Sequence, residues 1–455
     1  MRTRAEALTL AVAVCAAAVA SALAAVSLAR DGLPDTPAAS PDAAALVPAD
    51  ALVYVHASLD TGREPVRRLQ ALADGFPSYA ELRDRLVREL ASPDCNRATV
   101  ALRGADDAAL SLFVTGGKPV SLLLIEQPPQ PTPDRRGCGV LEAENIGPWL
   151  AIGQPQALAL ARRLHDGRSG SLADAPLADA QRDRLPGDRV VDGWLSRDGV
   201  RRLLAPQAGV LGLVGTAVDQ PRLRGLAFAL HPAPGGAALA LRTALGAGGR
   251  APSTANVGEI AGRIPSGVMA ALAVPRLRSS IDRLSGAAAG ASGAGVLGSL
   301  PRPVLALFDR PTIVTLTSAT PAPVMTVVTT TDDEAAARRT LAAMPRALRR
   351  AFPSRVSDGT ITLTTRPAGL RPSRAEPLTA TEAWKVTIGE DAPADGASLL
   401  FLDFSKLLAL AEQTGLGTDA GYRAVRADLS RIVAAGLRIG SSASQSTVDL
   451  TLQIP

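Results

Sequence analysis

The feature that most constrains this chain is an alternating pattern that occurs twice. The stretch GLAFALHPAPGGAALAL occupies residues 225–241, and GLRIGSSASQSTVDLTL occupies residues 436–452, which lie 211 positions later. In each stretch, apolar residues alternate with small or polar ones on both sides of a polar or Pro/Gly-rich turn. Because a period of two indicates a strand with one buried face, each stretch predicts a β-hairpin.

Other landmarks recur in the same order ahead of these two hairpins. A strand after a proline-containing turn is predicted at 47–60 and again at 264–277, with Pro48 matching Pro265 at an offset of 217. The next matched features are two hairpins, at 98–115 around an Asp-Asp turn and at 312–329 around a Pro-Ala-Pro turn. The remaining pairs are Pro-rich loops (127–137 and 366–377), tryptophan strands (Trp149 in PWLAIG and Trp384 in AWKVTIG) and strand-to-helix units (189–205 and 397–412).

These matches predict an α+β fold of two tandem repeats. Each repeat is expected to be a largely antiparallel sheet with helices on one face, because alternation leaves one sheet face buried. Because 455 residues are too many for one ordinary core, two domains are expected. The matched landmarks place them at 47–250 and 251–455. The segment TDDEAAARRTLAAMPRALRR at 331–350 predicts a helix inserted in the second repeat.

The first thirty residues predict a transmembrane helix. Arg2 and Arg4 precede a run from Ala7 to Ala29 that carries no charge. As a helix this run spans about 34 Å, enough for a hydrocarbon core of about 30 Å. Because the basic residues precede the run, the positive-inside rule places the rest of the chain on the extracytoplasmic side of the cell membrane.

A cleaved signal peptide is the alternative for the same segment. ALA at 22–24 or SLA at 27–29 offers a small-residue cleavage site, and cleavage would make the protein secreted. The run is longer than the apolar part of most signal peptides, so the uncleaved anchor is preferred. A Pro/Ala/Asp-rich flexible tether is expected at 31–46.

Export changes the interpretation of the cysteines. Cys95 and Cys138 each precede a predicted strand, and in an oxidising compartment such a pair is a candidate disulfide. Two unpaired, partly buried thiols are the alternative. No cysteine or histidine spacing indicates a zinc site.

Composition argues against nucleic acid as a partner. The net charge is +5, but acidic residues are interspersed with the basic ones, and aromatic residues make up 3% of the chain. Single-stranded nucleic acid needs aromatic platforms on which its bases stack. Candidate partners are therefore the membrane itself and an unidentified lipid or protein.

Several apolar motifs resemble those of one protein family. They are LVPADALVYVHASLD at 46–60, WLAIGQPQALALARRL at 149–164 with the SLAD that follows it, and TVDLTLQIP at 447–455. The resemblance is to a family of bacterial exported proteins that is known only as a domain of unknown function. The resemblance covers most of residues 46–455 and implies an anchored extracytoplasmic protein. It implies no catalytic residue.

A search for chemistry assigns no catalytic, cofactor-binding or metal-binding residue. His56, His165 and His231 lie far apart and share no ligand spacing, so structural or surface roles are preferred. GAGVLG at 293–298 matches a dinucleotide-binding pattern but follows a predicted helix instead of a strand, which favours a flexible loop. No cofactor is expected.

Acidic residues recur where predicted strands meet helices. Asp60, Asp403 and Asp192 with Ser196 hold such positions, where helix N-caps favour these residue types. Paired carboxylates for hydrolysis are the alternative reading. Glu142 and Glu144 alternate on one strand, and their face is expected to be solvated.

The sequence thus predicts a non-enzymatic, membrane-anchored extracytoplasmic protein with a binding or envelope-organising role. A carrier of lipid or another apolar ligand is the first alternative, with LLAPQAGVLGLVGTAV at 203–218 as a candidate lining. A hydrolase with a site between the two halves is the second.

Overall fold

The structure is a computed structural model, and the strand pairs described below are antiparallel. It describes residues 42–91, 101–102, 104–127, 136–138, 141–204, 221–247, 257–277, 300–318, 322–367, 376–390, 397–442 and 444–455. Described residues up to Ala233 together with Ala237–Ala247 form one compact unit, and Pro234–Gly236 together with described residues beyond position 247 form a second. Helices and antiparallel sheet occur in both units, so the α+β class is confirmed.

Within the described residues, the first unit contains nine strands and six short helices. Its strands are β1 (Val53–Ser58), β2 (Asp107–Thr115), β3 (Lys118–Glu126), β4 (Arg136–Cys138), β5 (Leu141–Ile146), β6 (Trp149–Gly153), β7 (Val191–Ser196), β8 (Leu223–Ala233) and β9 (Gly236–Leu245). Its helices are α1 (Asp42–Ala45), α2 (Glu64–Asp74), α3 (Tyr79–Ala91), α4 (Pro155–His165), α5 (Pro176–Arg182) and α6 (Arg197–Gly199), which a π-helical turn (Val200–Leu204) continues.

Strand β1 lies in the middle of the first sheet. It pairs with β2 on one side and with β7 on the other. The pairings continue outward so that the strand order is β4–β5–β6–β3–β2–β1–β7–β8. All six residues of β1 are buried, so both faces of the sheet are covered at its centre.

The second unit begins after β9. Its strands are β10 (Val268–Val274), β11 (Thr312–Thr317), β12 (Val324–Thr330), β13 (Ser354–Ser357), β14 (Thr360–Thr364), β15 (Ser398–Asp403), β16 (Ala434–Ser441) and β17 (Gln445–Gln453). Its α-helices are α7 (Gly258–Ala261), α8 (Arg302–Ala306), α9 (Glu334–Ala342), α10 (Arg346–Ala351), α11 (Glu382–Thr387), α12 (Phe404–Gln413) and α13 (Ala420–Leu429), with 3-10 turns at Leu378–Ala380 and Leu416–Thr418. The helix predicted at 331–350 is confirmed as α9 and α10.

The second sheet has the same order of strands as the first. Strand β10 is central, between β11 and β15, and the order is β13–β14–β12–β11–β10–β15–β16–β17. The seven positions from β13 to β16 in this order correspond to those from β5 to β8 in the first sheet. The hairpins predicted at 312–329 and 436–452 are confirmed as β11–β12 and β16–β17.

Helices pack on both faces of the second sheet, not on one as the sequence predicted. Ala271 and Ala273 of β10 belong to a core that includes Trp384 of α11. Leu272 and Val274 point to the opposite face, where they join a core built with α8 and α9. The prediction failed because the residues of β10 on both faces are apolar, so alternation does not distinguish a wet face from a covered one.

Two local predictions are wrong. Trp384 lies in helix α11, because Thr381 caps that helix by accepting the Trp384 N–H. The Asp-Asp pair is not a turn, since Asp107 opens β2; the chain reverses at Gly116 and Gly117. Both glycines have positive φ, 56° and 75°, as a two-residue hairpin turn requires.

The predicted anchor at 1–30 and most of the tether at 31–46 lie outside the described residues. The end of the tether is not flexible, because Asp42–Ala45 form α1, and Ala43, Ala44 and Leu46 are buried in the core of the first unit. In the part of the chain that the structure describes, no helix is both long enough and apolar enough to cross a membrane.

Candidate functional site: a buried charged cluster

A histidine lies at the centre of the first sheet. His56 is 1% exposed and sits on β1, directly opposite Ala109 of β2 and Asp192 of β7. The side chain of His56 points to the same face of the sheet as that of Ala109, its partner in β2. Helices α4 and α5 pack on this face, since Ala109 and residues of both helices belong to one apolar core. A polar ring in such a place needs polar partners, because burying an unpaired polar group costs free energy.

Two carboxylates supply those partners. Nδ1 of His56 is hydrogen-bonded to Oδ1 of Asp192 at 3.2 Å, and Nε2 lies 3.1 Å from Oδ1 of Asp107. Asp192 is 1% exposed, whereas the side chain of Asp107, at the start of β2, is 17% exposed. The imidazole is therefore held between two acids that come from the strands on either side of it.

Arginines surround the far side of Asp192. Nε of Arg182, the last residue of α5, lies 3.6 Å from Oδ2, and Nε of Arg189 lies 3.7 Å from Oδ1. Arg63, ahead of α2, donates from Nη2 to the Arg189 carbonyl at 3.1 Å. We call His56, Asp107, Asp192 and these three arginines the charged cluster.

The cluster keeps His56 protonated. Burial by itself would lower the pKa of His56, but the carboxylates of Asp107 and Asp192 outweigh it and raise this pKa to about 9. Burial also opposes ionisation of Asp192, yet His56, Arg182 and Arg189 hold the pKa of Asp192 below its usual range. His56 and Asp192 therefore form an ion pair at neutral pH.

Two neighbours of the cluster have raised pKa values. Burial, followed by the charge of Asp107, raises the pKa of Glu126 at the end of β3 to about 7. Burial, followed by the charge of Asp192, raises the pKa of Tyr54 far above its usual value. Both groups are thus neutral at slightly acidic pH, and the phenol of Tyr54 remains neutral at any pH the protein would meet.

The cluster is poorly suited to hold a metal ion. Its one imidazole is protonated, and a ligand histidine must be neutral. Three guanidinium groups nearby would repel a cation. No group of three or more histidine, cysteine or acidic side chains is placed to hold a metal within the described ranges.

The cluster is equally unsuited to acid–base catalysis as it stands. A general base must reach the proton that it abstracts, but His56 and Asp192 are each 1% exposed. Within the described part of the chain, both imidazole nitrogens face carboxylates, not a hydroxyl or thiol that they could activate. What the cluster can do is hold an ion pair inside the core and change its protonation when the pH changes.

The predicted capping residues divide into two groups. Asp403 accepts the Lys406 N–H at the start of α12, and Ser196 accepts the Gly199 N–H at the start of α6, so both cap helices as expected. Asp192 does not cap a helix, because it lies inside β7 and faces His56. Asp60 accepts the Gly62 N–H in a turn ahead of α2, whose N-cap is Arg63.

The other histidines and acids of interest lie apart from the cluster. His165 ends α4, and Nδ1 of His231 lies 3.5 Å from Oδ1 of Asp188. Glu144 is covered, not solvated: its side chain is 13% exposed and is 2.5 Å from Nη2 of Arg162 on α4.

Three candidate features cannot be compared with the structure. Cys138 ends β4, but Cys95 lies outside the described residues, so the disulfide remains a prediction. The loop at 293–298 and all but the start of 203–218 also lie outside them.

Sequence reasoning found His56 and Asp192 but did not bring them together. They are 136 positions apart, and their contact depends on the register of β1 against β7. The predicted repeat offered one signal: the β1 segment VYVHAS carries a histidine, whereas AALAVP at 270–275, which lies at the predicted offset of 217, has no polar side chain.

The fold and the cluster define the class: an α+β protein of two antiparallel-sheet units, the first of which encloses a histidine–aspartate ion pair. No family model, curated protein or solved structure matches the chain.

Proposed function

We propose that this chain is a non-enzymatic protein anchored in the cell membrane by its N-terminal segment. Its two α+β repeats stand on the extracytoplasmic side, where they act in binding or in organising the envelope. The observation that carries this proposal is the enclosure of the charged cluster. His56 and Asp192, whose pKa values are both shifted, are ion-paired inside a core instead of lining an open cleft.

A structural role for the cluster is supported by its contacts. Perturbed pKa values often mark active sites, but ion-pair networks also produce them. His56 joins β1 to β7 and to β2, and Arg182 joins α5 to the same point. These contacts fix which strands and which helix meet at the centre of the sheet.

Anchoring is supported by the sequence of the first thirty residues. The uncharged run from Ala7 to Ala29 is long enough to span a bilayer, and Arg2 and Arg4 precede it. The described first unit begins with α1 at Asp42, about a dozen residues after this run. The chain therefore has room to leave the membrane before it folds.

Tandem duplication is supported by the common strand order and by matching contacts. Pro48 forms a bridge with Ser171, and Pro265 forms one with Pro377. Beside these bridges, Leu172 donates its N–H to the Val47 carbonyl and Leu378 donates to the Ile264 carbonyl, both at 2.7 Å. An experimental structure in which the two units superimpose strand for strand would support the duplication, and different connectivities would contradict it.

Anchoring is tested with a full-length chain that carries a C-terminal tag in a bacterial host. We expect the protein to stay with membranes through carbonate washing, with the tag open to protease added outside spheroplasts. The double variant V14R/V19R should no longer be retained in the membrane, whereas the matched control V14L/V19L should behave as the wild type.

The intact mass of the membrane fraction separates the two readings of the leader. An anchor retains residues 1–29, whereas cleavage removes residues 1–24 if it follows Ala24 and residues 1–29 if it follows Ala29. A tag protected from external protease, or a full-length product that is soluble in the cytoplasm, would contradict the proposal.

Native mass spectrometry of the purified full-length chain addresses the two alternatives. A bound lipid in fixed stoichiometry with the folded body, which persists in V14R/V19R, would favour the apolar carrier. Hydrolytic turnover that survives His56→Ala would favour a hydrolase whose site lies outside the charged cluster.

A further inference from the structure

Four exposed arginines occur within the segment 339–352 of the second unit. They are Arg339 in α9 and Arg346, Arg349 and Arg350 in α10. Their guanidinium groups have no hydrogen bond or ion pair with any described residue. Arg338 differs from them, since it pairs with Glu334 and donates to the Val356 carbonyl.

The helix α10 presents its arginines on one side. Residues 346, 349 and 350 are spaced i, i+3 and i+4, which places them on one helix face. Leu348 is half-buried and Phe352 is buried, and both pack on the core of this unit. The remaining side of α10, where the arginines lie, is therefore free to meet a partner.

Helix α9 extends this positive surface. Its buried residues are Ala337 and Leu341, so the exposed Arg339 lies on the side of α9 away from the core. The nearest acid on α9, Glu334, is already engaged, because it pairs with Arg338 and accepts the Gly359 N–H. It does not neutralise the four free arginines.

Phosphate is the chemistry that such a surface fits. Guanidinium groups offer paired N–H donors that match phosphate oxygens, and each basic side chain near an anionic bilayer adds to its attraction. Nucleic acid also carries phosphate, but the one aromatic residue of this segment, Phe352, is buried and offers no base a stacking surface.

We propose that Arg339, Arg346, Arg349 and Arg350 form a surface that binds the headgroups of anionic phospholipids. The surface holds the second unit against the membrane in which the chain is anchored. This inference rests on the proposed function for the location of the protein, but the binding itself can be measured without it.

The experiment compares amide hydrogen exchange of the full-length chain with vesicles of phosphatidylcholine and with vesicles that also contain phosphatidylglycerol. We expect amides in residues 338–356 to exchange at least about three-fold more slowly with the anionic vesicles, and this protection to disappear when NaCl rises from about 50 to about 300 mM. Co-sedimentation is recorded in the same samples.

Two triple variants make the test specific. R346Q/R349Q/R350Q should lose this protection, although its N-terminal segment should still carry it into the pellet with both kinds of vesicle. The matched control R163Q/R423Q/R431Q removes the same charge from exposed arginines of α4, of α13 and of the turn after α13, and should retain the protection.

The outcomes also separate this inference from the proposed function. Sedimentation with anionic vesicles alone would leave the surface standing and contradict the anchor. Sedimentation with both kinds of vesicle, with equal exchange at 338–356, would leave the anchor standing and overturn the surface. An equal loss of exchange protection in the two triple variants would also overturn the lipid-binding surface. So would protection of residues 338–356 by a short oligonucleotide but not by vesicles.

Discussion

The centres of the two sheets are built from opposite chemistry. His56 lies eight residues after Pro48, and Ala273 lies eight residues after Pro265. In the first sheet His56 faces Asp192 across β1 and β7, whereas in the second sheet Ala273 faces Leu399 across β10 and β15. The same strand order therefore forms around an ion pair in one unit and around an alanine–leucine contact in the other.

This difference shows that the strand order does not require the ion pair. Both Ala273 and Leu399 are buried in the core that includes Trp384, without any charge. A buried ion pair is weak evidence for stability, because the cost of removing two charges from water offsets their attraction. What the first unit gains is a specific set of neighbours and a buried group whose pKa is raised to about 9.

The largest loss of stability is expected when one partner of the His56–Asp192 ion pair is removed. Asp192→Leu copies the residue of the second unit but leaves the buried His56 and Arg182 and the partly buried Arg189 without their shared carboxylate. We expect the first unit to lose about 3–5 kcal/mol of unfolding free energy. Urea unfolding of 5-fluorotryptophan-labelled protein measures it, since Trp149 and Trp194 report on the first unit and Trp384 on the second.

A nearby acid provides the control for this variant. Asp188 has a 47% exposed side chain, so Asp188→Leu should cost less than about 1 kcal/mol. If D192L were as stable as D188L, Asp192 would not be the partner of a buried charge, and the contrast between the two sheets would be lost.

Raising the pH should weaken the first unit selectively. The pKa of His56 is raised in the folded state from 6.5 to about 9, so its contribution is complete below about pH 6.5 and is lost as the pH rises through 9. The unfolding free energy of the first unit then falls by an amount on the order of 3 kcal/mol. The raised pKa of Glu126 acts in the same direction, with its contribution lost as the pH rises through about 7.

The measurement is the urea midpoint of each unit at pH 6 and pH 9.5. We expect the signals of Trp149 and Trp194 to shift toward lower urea more than that of Trp384 does. His56→Ala should remove most of the difference. An equal shift in both units would show that the charged cluster is not its source.

Copying both residues of the second sheet should repair part of the damage. The variant H56A/D192L places the alanine and leucine of the second sheet at the matching positions of β1 and β7. We expect it to be at least about 1 kcal/mol more stable than D192L alone, because no protonated imidazole remains without its acid. Additive losses in a double-mutant cycle would instead show that the two residues act independently.

The smallest expected effect concerns turns. The β2–β3 turn uses Gly116 and Gly117, whereas the β13–β14 turn uses Asp358 and Gly359, all with positive φ. Gly116→Asp should therefore be tolerated, and Gly116→Val should cost about 1–2 kcal/mol, because a β-branched residue resists positive φ. Thermal unfolding of the two variants compares them directly, and equal melting temperatures would contradict this account of the turn.

The sequence predicts local features better than the contacts between them. The hairpins at β11–β12 and β16–β17 follow from alternation and turn residues that lie close together in the chain. The prediction of a strand at Trp384 is wrong because the alternation in the short segment AWKVTIG arises by chance. Thr381, three residues before Trp384, is the local signal for the start of a helix.

The charged cluster could not be derived from either strand separately. Asp192 resembles a helix cap because a helix begins five residues later, and only the register of β7 against β1 turns it toward His56. Arg182, Arg189 and Arg63 come from three segments with no shared spacing. Such convergence depends on long-range packing, which a periodic pattern does not encode.

The most direct test of the central claim is the protonation of His56, observed by NMR in full-length protein with ¹⁵N-labelled histidine. The chain has three histidines, so His56→Ala assigns its signal. We predict an imidazolium with both ring nitrogens protonated at pH 8, titrating near pH 9. A neutral His56 ring at pH 7 would contradict the ion pair that distinguishes the first unit from the second.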